Sequence, residues 1–157
     1  MTIPASLTFV PVDLKHQGLP SALIGVGFQP DQPTFFHWLG VVHYLPREAI
    51  TSTLRFIASI PGSEVVFDYT ETLANYPERR RAYLAGVAAR TVALGEPWIS
   101  YLDPGEISAE LREHGFQEQD DLRLGEIAAR YPGTPWEQAK AEQGPGPHVI
   151  RAHRVHR

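Results

Sequence analysis

Acidic side chains stand at the ends of two apolar runs in this sequence, and that placement has chemical meaning. Asp13 follows LTFVPV, and Asp68 with Tyr69 closes SEVVFDY. In an open α/β sheet, ligands sit in the crevice at the carboxyl ends of the strands, so an acid there can accept hydrogen bonds from a ligand. Each acid also has a plainer reading: Asp13 as a strand-end acid in a loop, Asp68 as a cap for the segment after it. Arg79, Arg80 and Arg81 form a run that can attract an anion, although such a run on a helix is usually a solvated face. The seven histidines include His37 and His43, and a group of His148, His153 and His156. Neither set has recognised zinc spacing, and the chain has no cysteine to assist. No metal is therefore expected.

Positioning these groups requires strands and helices in alternation. Leu7 to Val12 is short, apolar and β-branched and reads as a strand. Leu19 to Gly25 carries a brief helical pattern, and a proline-rich turn follows. Phe35 to Val42 is an almost unbroken apolar and aromatic run, as expected of a strand covered on both faces. Pro46 opens a helix whose buried stripe is Ile50, Leu54 and Ile57. Ser63 to Tyr69 is the clearest strand. Tyr76 to Leu94 reads as a long helix, with Leu84, Val87 and Ala88 toward the core. Asp103, Pro104 and Glu106 form a helix-start signal with the features of a capping box. Phe116 to Leu122 is a strand, Gly125 to Tyr131 a short helix, Thr134 to Gly146 a loop, and His148 to His153 a final strand. This order predicts an α/β domain with a largely parallel sheet, closed by a carboxyl-terminal antiparallel hairpin.

The bulk properties fit that class. The chain of 157 residues, 43% apolar and 20% charged, suits one domain over 1–157. A net charge of -4 lacks the basic field of a nucleic-acid binder. No stretch has the length of a membrane span, and the first residues carry no basic leader. A soluble cytoplasmic protein, with neither nucleic acid nor membrane as partner, is the expectation.

Four motifs in consistent order then carry a resemblance: VPVDL, GFQPDQPTFFHWLGVVHYLPREAI, SEVVFDY and GEPWISYLDPGEISAELREHGF. Together they resemble the leucine carboxyl methyltransferase family, and within it the bacterial branch of S-adenosylmethionine-dependent O-methyltransferases, from about Leu7 to Tyr131. The resemblance implies a class I methyltransferase fold, a Rossmann-like, doubly wound sheet with strand order 3-2-1-4-5-7-6. It implies S-adenosylmethionine as cofactor and methyl transfer to a carboxylate or hydroxyl. Asp13 and Leu14 match the acidic-apolar pair that borders the adenine: the carboxylate accepts from the amino group and the apolar neighbour covers the ring. FFHWLGVV matches the fourth strand, whose end lies beneath the methionine portion of the cofactor. Leu39 stands there where some relatives carry a glutamate. Tyr44 matches a tyrosine near the methyl-transfer centre, where its hydroxyl can position a carboxylate substrate.

The same resemblance leaves two features without a match: the glycine-rich turn after the first strand, and the ribose-binding acid after the second. Gly25-Val26-Gly27 is no substitute, because it follows a helix, whereas the fingerprint runs strand, turn, helix. The chain therefore reads as the carboxyl-terminal half of such a fold, an incomplete sheet. Leu7 to Val12 would pair with the strand from Phe35, pair with another chain, or stay loose. The expected partners are a second copy or a complementary amino-terminal chain, and a small-molecule or carboxylate substrate. The alternative function is a non-catalytic remnant acting as a homo-oligomeric binding or structural protein.

Overall fold

The computed structural model describes residues 4–131 and 145–155. The element order is α1 (Leu19–Ile24), β1 (Phe35–Trp38), α2 (Arg47–Ser59), β2 (Glu64–Thr70), α3 (Glu78–Ala93), α4 (Pro104–Glu113), β3 (Glu118–Arg123), α5 (Leu124–Arg130) and β4 (Pro147–His153). Short 3-10 turns cover Val42–Tyr44 and Leu73–Asn75. The four strands form one mixed sheet in the order β1-β2-β4-β3. β1 pairs with β2 in parallel, and β4 is antiparallel to both its neighbours. Three strands thus run one way and β4 alone runs back. This arrangement is the 4-5-7-6 portion of the order implied by the resemblance.

Strand alternation divides the residues between two faces. On one face lie Phe36 and Trp38 of β1, Val65, Phe67 and Tyr69 of β2, and His148, Ile150 and Ala152 of β4. Trp38 stacks on its register partner Phe67 with ring centres 5.6 Å apart. Ile50, Leu54 and Ile57 of α2 and Ile107 and Leu111 of α4 join the same core cluster, and all five are fully buried. Each such side chain contributes about 1.5–3 kcal/mol on burial. Glu110 of α4 accepts hydrogen bonds from Arg47 and Thr51 of α2, which fixes the two helices side by side.

The helix starts follow the local chemistry. Asp103 Oδ1 accepts from the backbone N–H groups of Gly105 and Glu106 at 2.8 and 3.1 Å, with Pro104 in the first turn. These bonds satisfy two donors that the helix itself cannot. Pro46 takes the position just before α2, one residue earlier than expected.

Three expectations need correction. Leu7 to Val12 is not a strand: it runs as coil, with Leu7 and Phe9 exposed, and it pairs with no strand among the described residues. An apolar β-branched run becomes a strand only where a neighbouring strand accepts its hydrogen bonds, and none lies beside it. The run from Phe35 stops as a strand at Trp38, because Gly40 turns the chain with φ +72°. Helix α3 buries none of its residues completely; Leu84, Val87 and Ala88 are half-buried. The loop expected over 134–146 lies outside the described residues except for Pro145 and Gly146. Among the described residues no helix is long and apolar enough to cross a membrane.

Candidate functional site

The carboxyl ends of β1 and β2 meet at one edge of the sheet, and the residues there hold each other in place. After β1 the chain reverses at Gly40. Its N–H donates to Asp68 Oδ1 at 2.6 Å, so Asp68 caps the preceding turn and not the segment that follows it. A Cβ at Gly40 would meet nothing within 4 Å, which leaves open space beside this backbone. Leu39, next to it, is 57% exposed.

Tyr44 ends the 3-10 turn that follows and is half-buried. Its neighbour His43 is buried, with Nε2 2.9 Å from Thr70 Oγ1 and the ring centre 4.8 Å from that of Trp98. Burial holds the His43 imidazole below its ordinary pKa, against the raising effect of the Asp68 charge. The backbone O of His43 accepts from Ile99 N, and Leu102 N donates to Thr70 O. Residues 98–102 thus clamp the loop that carries Tyr44 onto the end of β2.

Asp13 is exposed and organises its own loop. Its carboxylate accepts from Lys15 N and lies 2.9 Å from His16 Nδ1, while its backbone O accepts from His16 N and Gln17 N. Those hydrogen bonds hold the Asp13 carboxyl below the usual carboxylate range, so it is ionised at neutral pH. Leu14 is half-buried and packs against the core cluster, as do Phe36 and Val41. Of the arginine run, Arg79 and Arg81 are exposed, and Arg80 lies over the ring of Tyr83 at 5.7 Å.

Sequence reasoning missed a buried polar cluster at the same sheet edge. His148 Nδ1 lies 2.8 Å from Asp121 Oδ1, and His148 Nε2 lies 2.9 Å from Glu71 Oε1. Tyr69 donates to Asp121 Oδ2 at 2.6 Å and stacks on the imidazole. Partners 27 and 77 residues apart leave no local signal; only the strand register brings them together.

A hollow of about 470 Å³ is lined by Ser59, Pro61, Gly62, Gly115, Gln117, Arg154 and Val155. It lies where β2 begins and β4 ends, at the opposite edge of the sheet, and touches none of the residues above.

At the carboxyl edge the exposed Leu39 and the open turn at Gly40 can hold part of an S-adenosylmethionine molecule, and the ionised Asp13 carboxylate, on its own exposed loop, can accept from an amino group. A glycine-rich turn between a strand and a helix is not among the described residues.

Comparison with known proteins gives a consistent picture. A sequence profile described as leucine carboxyl methyltransferase matches residues 1–58. YktD of Bacillus subtilis, provisionally named as an S-adenosyl-L-methionine-dependent methyltransferase, is 38% identical over 132 residues, 81% of this chain and 42% of that protein. A Mycobacteroides abscessus protein with the same provisional name is 31% identical over 121 residues, 72% of this chain and 39% of that protein. The chain spans about two fifths of the length of these relatives. Among solved structures, a DUF574 family protein from Streptomyces avermitilis superposes with a TM-score of 0.59 at 13% identity, covering 91% of this chain and 53% of that one. Human N-acetylserotonin methyltransferase in complex with S-adenosylmethionine gives 0.52 at 15% identity, covering 98% and 35%. At such identities the likeness is one of fold, the Rossmann-like α/β sheet.

Proposed function

We propose a function from one premise: this chain belongs to the leucine carboxyl methyltransferase family. It serves S-adenosylmethionine-dependent O-methyl transfer and supplies the adenine-bordering loop and the acceptor side of the site. The observation that carries this reading is the sheet edge itself. Asp68 fixes Gly40, and residues 98–102 fix His43, so Leu39 and Tyr44 are presented from a rigid support at the carboxyl ends of two parallel strands. That edge is where ligands of open α/β sheets sit.

The cofactor, when bound, supplies an electrophilic methyl group. Asp13 accepts from the adenine amino group, and Leu14 covers the ring with its exposed part. Leu39 lies against the methionine portion without a polar contact. The Tyr44 hydroxyl donates to the acceptor carboxylate or hydroxyl and holds it for in-line attack, where rate comes mainly from positioning. The glycine-rich turn and the ribose-binding acid come from a complementary amino-terminal segment outside these 157 residues. That segment extends the sheet at the free edge of β1, whose residues FFHW bear no carboxylate or lysine to repel a new strand.

Calorimetric titration with S-adenosylhomocysteine tests the reading, on the chain alone and mixed with the amino-terminal part of the Bacillus relative. Saturable binding that Asp13→Ala abolishes is the expected result. A folded chain that gives no saturable heat in either setting overturns it.

A further inference from the structure

The buried cluster at the end of β2 goes beyond that reading and does not depend on it. We propose that His148 is a proton-gated latch: as an imidazolium bridging Glu71 and Asp121 it closes the paired strands β3 and β4 onto the end of β2, and it lets go when it loses its proton in alkaline solution.

The geometry fixes the charge. Both ring nitrogens face carboxylate oxygens, Nδ1 toward Asp121 at 2.8 Å and Nε2 toward Glu71 at 2.9 Å. An ionised carboxylate only accepts, and a neutral imidazole has one donor and one acceptor. A neutral ring would therefore aim one lone pair at a carboxylate. His148 is 3% exposed and Glu71 2%, so water cannot repair such a contact on the Glu71 side.

The surroundings balance this charge from several elements. Glu71 faces His148 from just beyond β2. Asp121 and Arg123 face the cluster from β3, with Arg123 Nε 3.6 Å from Glu71 Oε1. Tyr69 of β2 donates to Asp121 and stacks on the ring with centroids 4.8 Å apart. The uncharged donors are Asn75 Nδ2 and Gly146 N, both to Glu71. Two carboxylates and two cations make the cluster neutral while His148 is protonated. Losing that proton leaves one uncompensated negative charge next to the buried His148 and Glu71, which is costly.

The register shows what is latched. Tyr69 pairs with His148 and Thr70 with Pro147, the last two pairs of the β2–β4 ladder. Gly146 is held by Glu71 immediately before the strand begins. One residue, Glu71, thus ties the start of β4 to the Asn75 turn and to Leu102, its bridge partner. Burial alone would push the His148 pKa down; the hydrogen bonds to Asp121 and Glu71, and their charges, outweigh it and hold the pKa above the ordinary value. Glu71 is held below the usual carboxylate range, against burial, by His148, Asn75 and Gly146 N–H, so the latch stays closed through mildly acidic pH.

Imidazole ¹⁵N and ¹³C NMR of the full chain tests this directly. His148 is expected to show both ring nitrogens protonated at pH 7 and a midpoint above the ~6.5 of a free histidine. Amide protection at Val149 should fall at least tenfold across that same midpoint. Glu71→Gln and Asp121→Asn should each lower the midpoint, and His148→Gln should remove the pH dependence of protection. If His148→Gln does not fold, the two carboxylate variants carry the test. A His148 midpoint at or below that of a free histidine overturns the latch. So does Val149 protection that is flat across the transition.

Discussion

Two histidines at the same sheet edge have pKa values shifted in opposite directions, so they contribute to stability at opposite ends of the neutral range. His43 is buried, and its depressed pKa keeps it neutral. The unfolded chain takes up a proton at about pH 6.5, before the native state does. The stability that His43 contributes is therefore present above about 6.5 and is lost as pH falls below it. Urea unfolding of the protein and of His43→Gln at pH 7.5 and 5.5 isolates this term: the stability lost on going to pH 5.5 should be smaller in the variant than in the parent. The raised pKa of His148 has the opposite sign: its contribution is complete below about 6.5 and is lost as pH rises through its native midpoint. Asp68→Ala removes the acceptor for Gly40 N–H. The expected cost is about 1 kcal/mol, because water partly replaces the bond at this exposed turn. Chemical denaturation checks it; an unchanged midpoint would mean that Asp68 does not hold the turn.

At the scale of elements, packing decides what a pattern becomes. Strand β2 was legible because SEVVFDY alternates over two faces, and α4 because Asp103-Pro104 supplies both a cap and a fixed φ. Helix α2 was legible from its stripe of Ile50, Leu54 and Ile57. Leu7 to Val12 has the composition of a strand but no partner strand among the described residues, and propensity cannot supply one. The His148 cluster is illegible in the sequence for a related reason: in sequence His148 groups with its neighbours His153 and His156, whereas its partners sit on β3 and beyond β2. Asp13, Leu14, Leu39 and Tyr44 are suggested by family resemblance, and the sheet edge that unites the last two is visible only in the fold. Burial predicts a contrast between helices. Leu54→Ala empties a fully buried site in α2 and should cost about 2–5 kcal/mol. Leu84→Ala in α3, where the side chain is half-exposed, should cost less than about 1 kcal/mol. Equal losses measured by urea unfolding would show that α3 is bound to the core as tightly as α2.

For the molecule as a whole, the two outer strands differ in how they meet solvent. β3 reads EQDDLR, carries Asp120 in an ion pair with Arg130 of α5, and so presents charge along its edge. Charge of this kind protects an edge from pairing with another chain. β1 reads FFHW, pairs on one side only among the described residues, and leaves Phe35 58% exposed. Its unpaired backbone N–H and C=O groups invite another strand, whether from a complementary segment or a second copy. In the absence of the complement, the isolated chain should self-associate through β1. Analytical ultracentrifugation over a range of concentrations is expected to show a reversible dimer. Phe35→Lys should shift the population to monomer with little change in melting temperature, because Phe35 contributes little to the core. Leu122→Lys on β3 should leave the dimer intact. A folded chain that stays monomeric at high concentration, or a dimer indifferent to Phe35→Lys, would exclude the β1 edge as the contact.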